Sequence, residues 1–144
     1  MAKMTDQQAK ELFAPYLNGE ELTHWAYGIK QPNMLLITGL IALAILPGII
    51  AVFLLSKNYM VGWTGNRFIV LQVNSKLTNV KQVTEYDAAQ LKSMKSTTST
   101  GSLFTHIKIT DDEKPFVAKF HRAYSKMNRP NAMAIGEALT SLSA

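Results

Sequence analysis

The chain of 144 residues is long enough for one domain with a modest core but not for two. Its 47% of hydrophobic residues against 17% of charged ones excludes a mainly disordered state, and the lack of cysteine excludes disulfide scaffolds, thiolate zinc sites and cysteine nucleophiles. The formal net charge of +5 is uneven: residues 1–33 carry three bases and four acids, whereas residues 56–144 carry twelve bases and six acids.

The N-terminal region predicts an amphipathic helix followed by a possible first strand. Thr5 and Gln8 have the spacing of a capping box, and apolar residues then recur at helical intervals. Pro15 is expected to kink or end this helix. The alternation in Glu21–Tyr27 favours a short strand, and the same spacing is also compatible with a continued helix.

A run of 22 uncharged residues, Met34–Leu55, dominates the sequence. As a helix it would be about 33 Å long, enough to cross a hydrocarbon core of roughly 30 Å. Pro47–Gly48 near its middle is compatible with one kinked span or with the tip of a re-entrant helical hairpin, and the unbroken apolar length favours the span. The basic residues after the run favour a cytoplasmic C-terminal region, and Tyr59 and Trp63 are typical of a membrane interface on that side.

Beyond the run, the apolar pattern changes to the period of two that is typical of strands. Arg67–Val73 and Val80–Tyr86 are predicted strands. Ala88–Met94 is a third strand candidate, although its residue types also suit a helix. The polar Lys95–Gly101 segment is expected to be a loop.

The C-terminal region predicts a hairpin and a closing helix. Leu103–Ile109 and Phe116–Phe120 both alternate, and a polar turn separates them. Pro130 opens a helix whose apolar residues lie on one stripe: Ala132, Ile135, Leu139 and Leu142. Strands followed by one amphipathic helix predict an α+β domain.

The segment Met60–Leu71 contains an apolar strand, Thr64, a short turn, Arg67 and a second apolar strand. In this order it resembles the bacterial pleckstrin-homology-like (PH-like) domains, which share their general shape with PH and GRAM modules. Leu17–Leu22 is similar to the phrase before the family's first strand, and the final helix also fits. The resemblance implies a curled antiparallel sheet or barrel closed by a C-terminal helix, and it implies self-association.

The sequence departs from that family in the apolar run, which follows the possible first strand. If residues 21–29 pair with the later strands, both ends of the run lie on one side of the membrane and a re-entrant hairpin is required. If the run spans, residues 1–33 are detached from the sheet. The chain is thus divided into an N-terminal region (residues 1–33), an apolar segment (residues 34–55) and a PH-like domain (residues 56–144).

The residues provide no arrangement for catalysis. His24, His106 and His121 stand in no metal-ligand spacing, and Asp111–Glu113 is typical of a solvated turn. Phosphate-binding glycine loops and nucleophile elbows are missing from the sequence. We therefore expect no enzyme, cofactor, metal site or small-molecule substrate.

Basic residues are the stronger functional signal. Four C-terminal bases recur at intervals that would share one face if their stretch were helical, and two others come earlier. The candidate basic face for a membrane or a partner comprises Lys119, Arg122, Lys126, Arg129, Lys76 and Lys81. An ordinary solvated face is the alternative interpretation. Nucleic acid is disfavoured, because aromatic residues are not interleaved with the bases.

Together these features predict a membrane-anchored, non-enzymatic PH-like interaction or scaffold module. Its expected partners are the lipid bilayer, anionic lipid, and either a second copy of itself or other membrane-protein subunits. The expected location is a bacterial inner membrane with the C-terminal domain in the cytoplasm. The alternative is an accessory subunit of a larger integral-membrane complex.

Overall fold

A computed structural model describes residues 4–30 and 56–143. Within them, the chain forms helix α1 (Asp6–Leu17), strands β1 (His24–Lys30), β2 (Lys57–Trp63), β3 (Arg67–Val73) and β4 (Val80–Asp87), helix α2 (Ala88–Ser93), strands β5 (Lys95–Thr100), β6 (Phe104–Thr110) and β7 (Phe116–His121), and helix α3 (Asn128–Leu142). All strand pairs are antiparallel and form one sheet in the order β4–β3–β2–β1–β7–β6–β5. The predicted α+β class with a C-terminal helix is confirmed.

The N-terminal helix begins where the capping box predicts. The Thr5 hydroxyl accepts the Gln8 N–H at 3.2 Å, and the Gln8 side chain accepts the Thr5 N–H at 2.9 Å. Helix α1 continues through Pro15 to Leu17, so it does not end at the proline. It ends instead at Asn18, whose left-handed backbone (φ 50°) breaks the helical repeat.

The strand candidate Ala88–Met94 is wrong, because this segment forms α2. Its cap has the same reciprocal form as that of α1: the Asp87 carboxylate accepts the Gln90 N–H, and the Gln90 side chain accepts the Asp87 N–H. The Asp-x-x-Gln spacing is the sequence signal for this helix.

The expected loop at Lys95–Gly101 is also wrong, because six of these residues form β5. The strand pairs with β6 from Lys95↔Thr110 to Thr100↔Thr105. Its serines and threonines lack the apolar alternation that reveals a strand in a sequence. The neighbouring β6 and the packing of α3 against β5 therefore determine its conformation.

Two hydrophobic clusters lie on opposite faces of the sheet. On one face, α1 places Ala9 and Phe13 against residues that include Met60 and Ile69. On the other, α3 packs Ile135 and neighbouring residues against the remaining core. Strands β1, β2 and β3 are therefore covered on both faces, which explains their nearly continuous apolar sequences.

Strand β1 is an integral part of the sheet, as the alternation in Glu21–Tyr27 predicts. It pairs with β2 in an unbroken register from His24↔Trp63 to Lys30↔Lys57. This pairing contradicts the arrangement in which residues 1–33 are detached from the sheet. The apolar segment 34–55 itself lies outside the described residues. Among the residues that are described, we find no helix that is both long and apolar enough to cross a bilayer.

The turn between β6 and β7 lies against β4, at the edge of the sheet. The Tyr86 hydroxyl donates to the Lys114 carbonyl at 2.8 Å, and Lys114 Nζ donates to the Glu85 carbonyl at 2.8 Å. The Asp111 carboxylate accepts the Glu113 and Lys114 N–H groups, so it closes the turn. These contacts join the two halves of the sheet.

Arg67 joins α1 to the sheet. Its guanidinium pairs with the Glu20 and Glu85 carboxylates and donates to the carbonyls of Tyr16 and Leu17 at the end of α1. The hydrogen bond from Arg67 is the main cause that holds the pKa of Glu20 below its ordinary value. Arg67 therefore has a structural role.

Candidate functional site

Four lysines gather at the end of the sheet where β1 leads into the apolar segment and β2 leaves it. Lys30 and Lys57 are directly paired, and both are exposed. The β3–β4 turn lies at the same end, because β3 ends at Val73, which pairs with Asn58 on β2. This turn and the start of β4 contribute the exposed Lys76 and Lys81. We call these four residues the lysine end.

The segments that form the lysine end contribute no acidic residue, and the acidic neighbour is Glu11 on α1, which lines a surface pocket together with Lys76. Residues 28–30, 57–59 and 72–82 contain no Asp or Glu. A base close to an anionic lipid surface contributes about 1 kcal/mol of attraction, so four contribute roughly 4 kcal/mol. This surface can therefore hold the domain against an anionic leaflet.

A polar cleft of about 220 Å³ opens beside the lysine end on the α3 side of the sheet. Lys30 and Lys57 lie at the cleft together with Tyr59, Gln72 and Gln82. Burial raises the pKa of Tyr59, so its hydroxyl stays neutral at physiological pH. The lining contains ammonium, amide and hydroxyl groups, which donate hydrogen bonds to anions.

A second, apolar groove of about 340 Å³ opens between β1 and β7. These strands share one register pair, Ile29↔Lys119. Next to that pair, the buried Asn128 side chain connects the strands: it accepts the Tyr27 N–H at 2.8 Å and donates to the Tyr27 and His121 carbonyls at 3.0 and 2.9 Å. The gap between the strands therefore leaves a groove without leaving these backbone groups unpaired.

The C-terminal bases would share one face only if their stretch were a helix, and only its last residue, Arg129, lies on one. Lys119 lies on β7, with Nζ 4.5 Å from the centre of the Phe104 ring. Arg122 and Lys126 are exposed in the segment that follows β7, and Arg129 lies on α3. These four residues are divided between a strand, the segment after it and a helix, so the periodicity of a helix does not apply to them. Of the six candidates, Lys76 and Lys81 belong to the lysine end.

The two aromatic candidates for a membrane interface have different surroundings. Tyr59 is half-buried two residues from Lys57, and its ring contacts Phe116 edge-on at 5.4 Å. Trp63 is only 9% exposed and belongs to the core cluster. It lies six residues along β2 from Lys57, or about 20 Å at the rise of a strand. This position does not fit a role for Trp63 beside the apolar segment.

The histidines form no metal site with other residues in the part of the chain that the structure describes. Within residues 4–30 and 56–143, no group of three or more His, Asp and Glu side chains could hold a metal ion. His24 contacts the Thr23 hydroxyl, and His121 accepts the Ala123 N–H at 2.9 Å. The rings of His106 and His121 flank Phe104.

The sequence analysis missed the pairing of Lys30 with Lys57. Each residue flanks the apolar run, but their adjacency depends on a register across 26 intervening residues. A basic residue on each side of a run, each next to a strand pattern, is the signal that could have revealed it.

Comparisons with known proteins identify no family. No protein-family model matches the chain, and no curated protein matches it. Among solved structures, the hSac2 domain from the human phosphoinositide phosphatase Sac2 is similar with a TM-score of 0.47 and 10% sequence identity, covering 97% of this chain and 84% of that one.

Proposed function

We propose that this protein is a membrane-anchored, non-enzymatic interaction module whose lysine end rests on an anionic leaflet. The observation that carries the proposal is the pairing of Lys30 with Lys57. It brings both flanks of the apolar run Met34–Leu55 to one point on the surface, beside Lys76 and Lys81. Apolar residues at that point favour insertion, and the lysines favour contact with the lipid headgroups.

The same pairing supports a re-entrant insertion over a single span. Paired Cα atoms of antiparallel strands are about 5 Å apart, whereas the ends of one spanning helix are separated by roughly 30 Å. A segment that leaves and returns at paired residues enters and leaves the bilayer on the same side. Pro47–Gly48 supplies residues suited to the tip of such a hairpin. Lysines on both flanks favour the cytoplasmic side.

A PH-like architecture is included in this proposal. Seven antiparallel strands are followed by α3, and the β6–β7 turn contacts β4 through Lys114 and Tyr86. A sheet whose halves meet in this way is curled, and α3 packs against one of its faces. The lysine end would then present the domain to lipid while other surfaces remain available to a protein partner.

We expect a fluorophore at residue 78 to lie at the bilayer surface and one at residue 89 to lie away from it. Thr78 and Ala89 are exposed and flank opposite ends of β4, whose eight residues extend over about 27 Å. Each residue is replaced by cysteine in a separate variant, and the cysteine is labelled with the fluorophore. The labelled protein is then reconstituted in vesicles that contain lipid with a spin label on its headgroup. We predict strong quenching of the Thr78→Cys label and little quenching of the Ala89→Cys label.

Equal quenching at the two positions would contradict this orientation, and so would stronger quenching at residue 89. Replacing Lys76 and Lys81 by glutamine is expected to reduce quenching at residue 78 in anionic vesicles. Because the contribution of the lysines is electrostatic, the same pair of substitutions should have little effect in uncharged vesicles.

A further inference from the structure

The groove between β1 and β7 has an apolar floor whose polar atoms already have partners. The rings of Tyr27 and Tyr124 stack with their centres 4.4 Å apart. The Tyr27 hydroxyl donates to Asn58 Oδ1 at 2.6 Å, and the Tyr124 hydroxyl accepts the Met4 N–H at 2.9 Å. Burial raises the pKa of Tyr27 to about 12, which agrees with an apolar environment. The floor therefore offers aromatic carbon to a ligand.

Positive charge and a hydrogen-bonding ring lie on the lining of this groove. Lys119 holds its ammonium 4.5 Å from the Phe104 ring centre, and both residues line the groove. His121 also lines it, and its Nδ1 accepts the Ala123 N–H, so the proton of the neutral ring is on Nε2. The lining thus combines hydrocarbon contacts with donors for an anionic group.

We propose that this groove binds the aliphatic chain of an anionic amphiphile, with its head group beside Lys119. The volume favours a chain over a protein helix: a helix about 10 Å wide would fill 340 Å³ within about 4 Å of its length, less than one turn. If a methylene group takes about the 30 Å³ of a water molecule, the groove holds roughly eleven carbons.

The groove lies close to the lysine end, where membrane lipid could supply such a chain. Ile29, which lines the groove, is directly followed by Lys30 of the lysine end. The inference therefore rests on the proposed function, because a domain held with its lysine end on a bilayer brings the groove close to membrane lipid. A free long-chain fatty acid and an anionic phospholipid share the required chemistry.

The test uses the full chain with a photoactivatable lipid in vesicles of phosphatidylcholine and phosphatidylserine, on whose anionic surface the lysine end is expected to rest. One arm contains a diazirine-bearing fatty acid and the other a diazirine-bearing phosphatidylglycerol, so that the two sources are distinguished. After irradiation, peptide mapping is expected to find the label on Phe104, Ala123 or Tyr124 in at least one arm. If none of these three residues is labelled in either arm, the proposal is overturned.

Two substitutions test the groove itself. Ala123→Trp fills it and should reduce labelling of the groove at least tenfold, whereas Ala89→Trp, at an exposed alanine of α2, should leave labelling unchanged. Lys119→Gln should reduce labelling by the fatty acid about tenfold but not labelling by the corresponding neutral alcohol. If Ala123→Trp leaves the extent of groove labelling unchanged, the proposal is overturned.

The fluorophore at residue 78 separates this inference from the proposed function. If the groove remains unlabelled while the Thr78→Cys fluorophore is still quenched, only the groove proposal fails. If labelling of the groove occurs but quenching is lost, the membrane orientation fails and the groove remains a binding site. Circular dichroism of each variant verifies that the domain is folded.

Discussion

Replacing Asn128 by alanine is expected to destabilise the domain by about 4 kcal/mol, because two buried hydrogen bonds and one partly buried one are lost, at roughly 1–3 kcal/mol for each unpaired group. The Asn128 amide joins Tyr27 on β1 to His121 on β7 at the point where these strands diverge. Without it, the N–H and carbonyl of Tyr27 have no replacement partner inside the core. A loss of this size is a large fraction of the stability of an ordinary domain.

Denaturant unfolding followed by tryptophan fluorescence measures this effect. Both tryptophans, Trp25 and Trp63, are buried in the domain and report its unfolding. Asn131→Ala is the matched control, since among the described residues the Asn131 side chain makes one hydrogen bond, to the Trp25 carbonyl at 3.0 Å, and its loss should cost about 1 kcal/mol. A free energy of unfolding for Asn128→Ala within about 1 kcal/mol of the wild type would contradict this role.

Arg67→Met is expected to destabilise the domain by about 3 kcal/mol and to loosen α1 from the sheet. The Arg67 side chain is only 15% exposed, so its loss leaves partly buried carboxylates and two helix-terminal carbonyls without their partner. The estimate is below that for a fully buried pair, because Glu85 is 42% exposed and water screens it.

Hydrogen exchange of the α1 amides, measured beside the free energy of unfolding, shows where the loss occurs. For Arg67→Met we expect exchange, relative to the wild type, to increase more in α1 than in β6. Lys10→Met is the control, because the Lys10–Asp6 pair is exposed and should contribute at most about 0.5 kcal/mol. If the two variants are equally stable, Arg67 does not join α1 to the sheet.

Local sequence signals predicted the elements of the fold that depend on near neighbours. The Thr5–Gln8 box placed the start of α1, and the alternation after Leu103 placed the β6–β7 hairpin. The apolar stripe after Pro130 placed α3. Each of these patterns is contained in a short stretch of sequence, so that stretch alone is sufficient to reveal it.

Features that depend on distant residues could not be predicted in the same way. Strand β5 has no apolar alternation, and its pairing with β6 determines it. The groove depends on the divergence of β1 from β7 and on Asn128, which is 101 residues from Tyr27. The lysine end depends on the long-range register of Lys30 with Lys57. Helix α2 is different, because its Asp87–Gln90 cap was present in the sequence as a local signal.

The proposed function requires both flanks of the apolar segment to lie on one side of the membrane. The most direct test labels a double-cysteine variant, Gln7→Cys with Glu137→Cys, in sealed proteoliposomes with a membrane-impermeant maleimide. Both positions are exposed, they lie before and after the segment, and no native cysteine competes. Protein solubilised in detergent should take two labels, which shows that both cysteines react. Only protein that remains in the vesicles after carbonate extraction is counted, because that protein is inserted.

Mass spectrometry of the intact chain gives the number of labels per molecule, whatever the mixture of orientations. We expect each molecule in the vesicles to carry either two labels or none, because a re-entrant segment leaves residues 7 and 137 on the same side. A population in which every molecule carries one label would show that the segment spans the bilayer, and it would contradict the account.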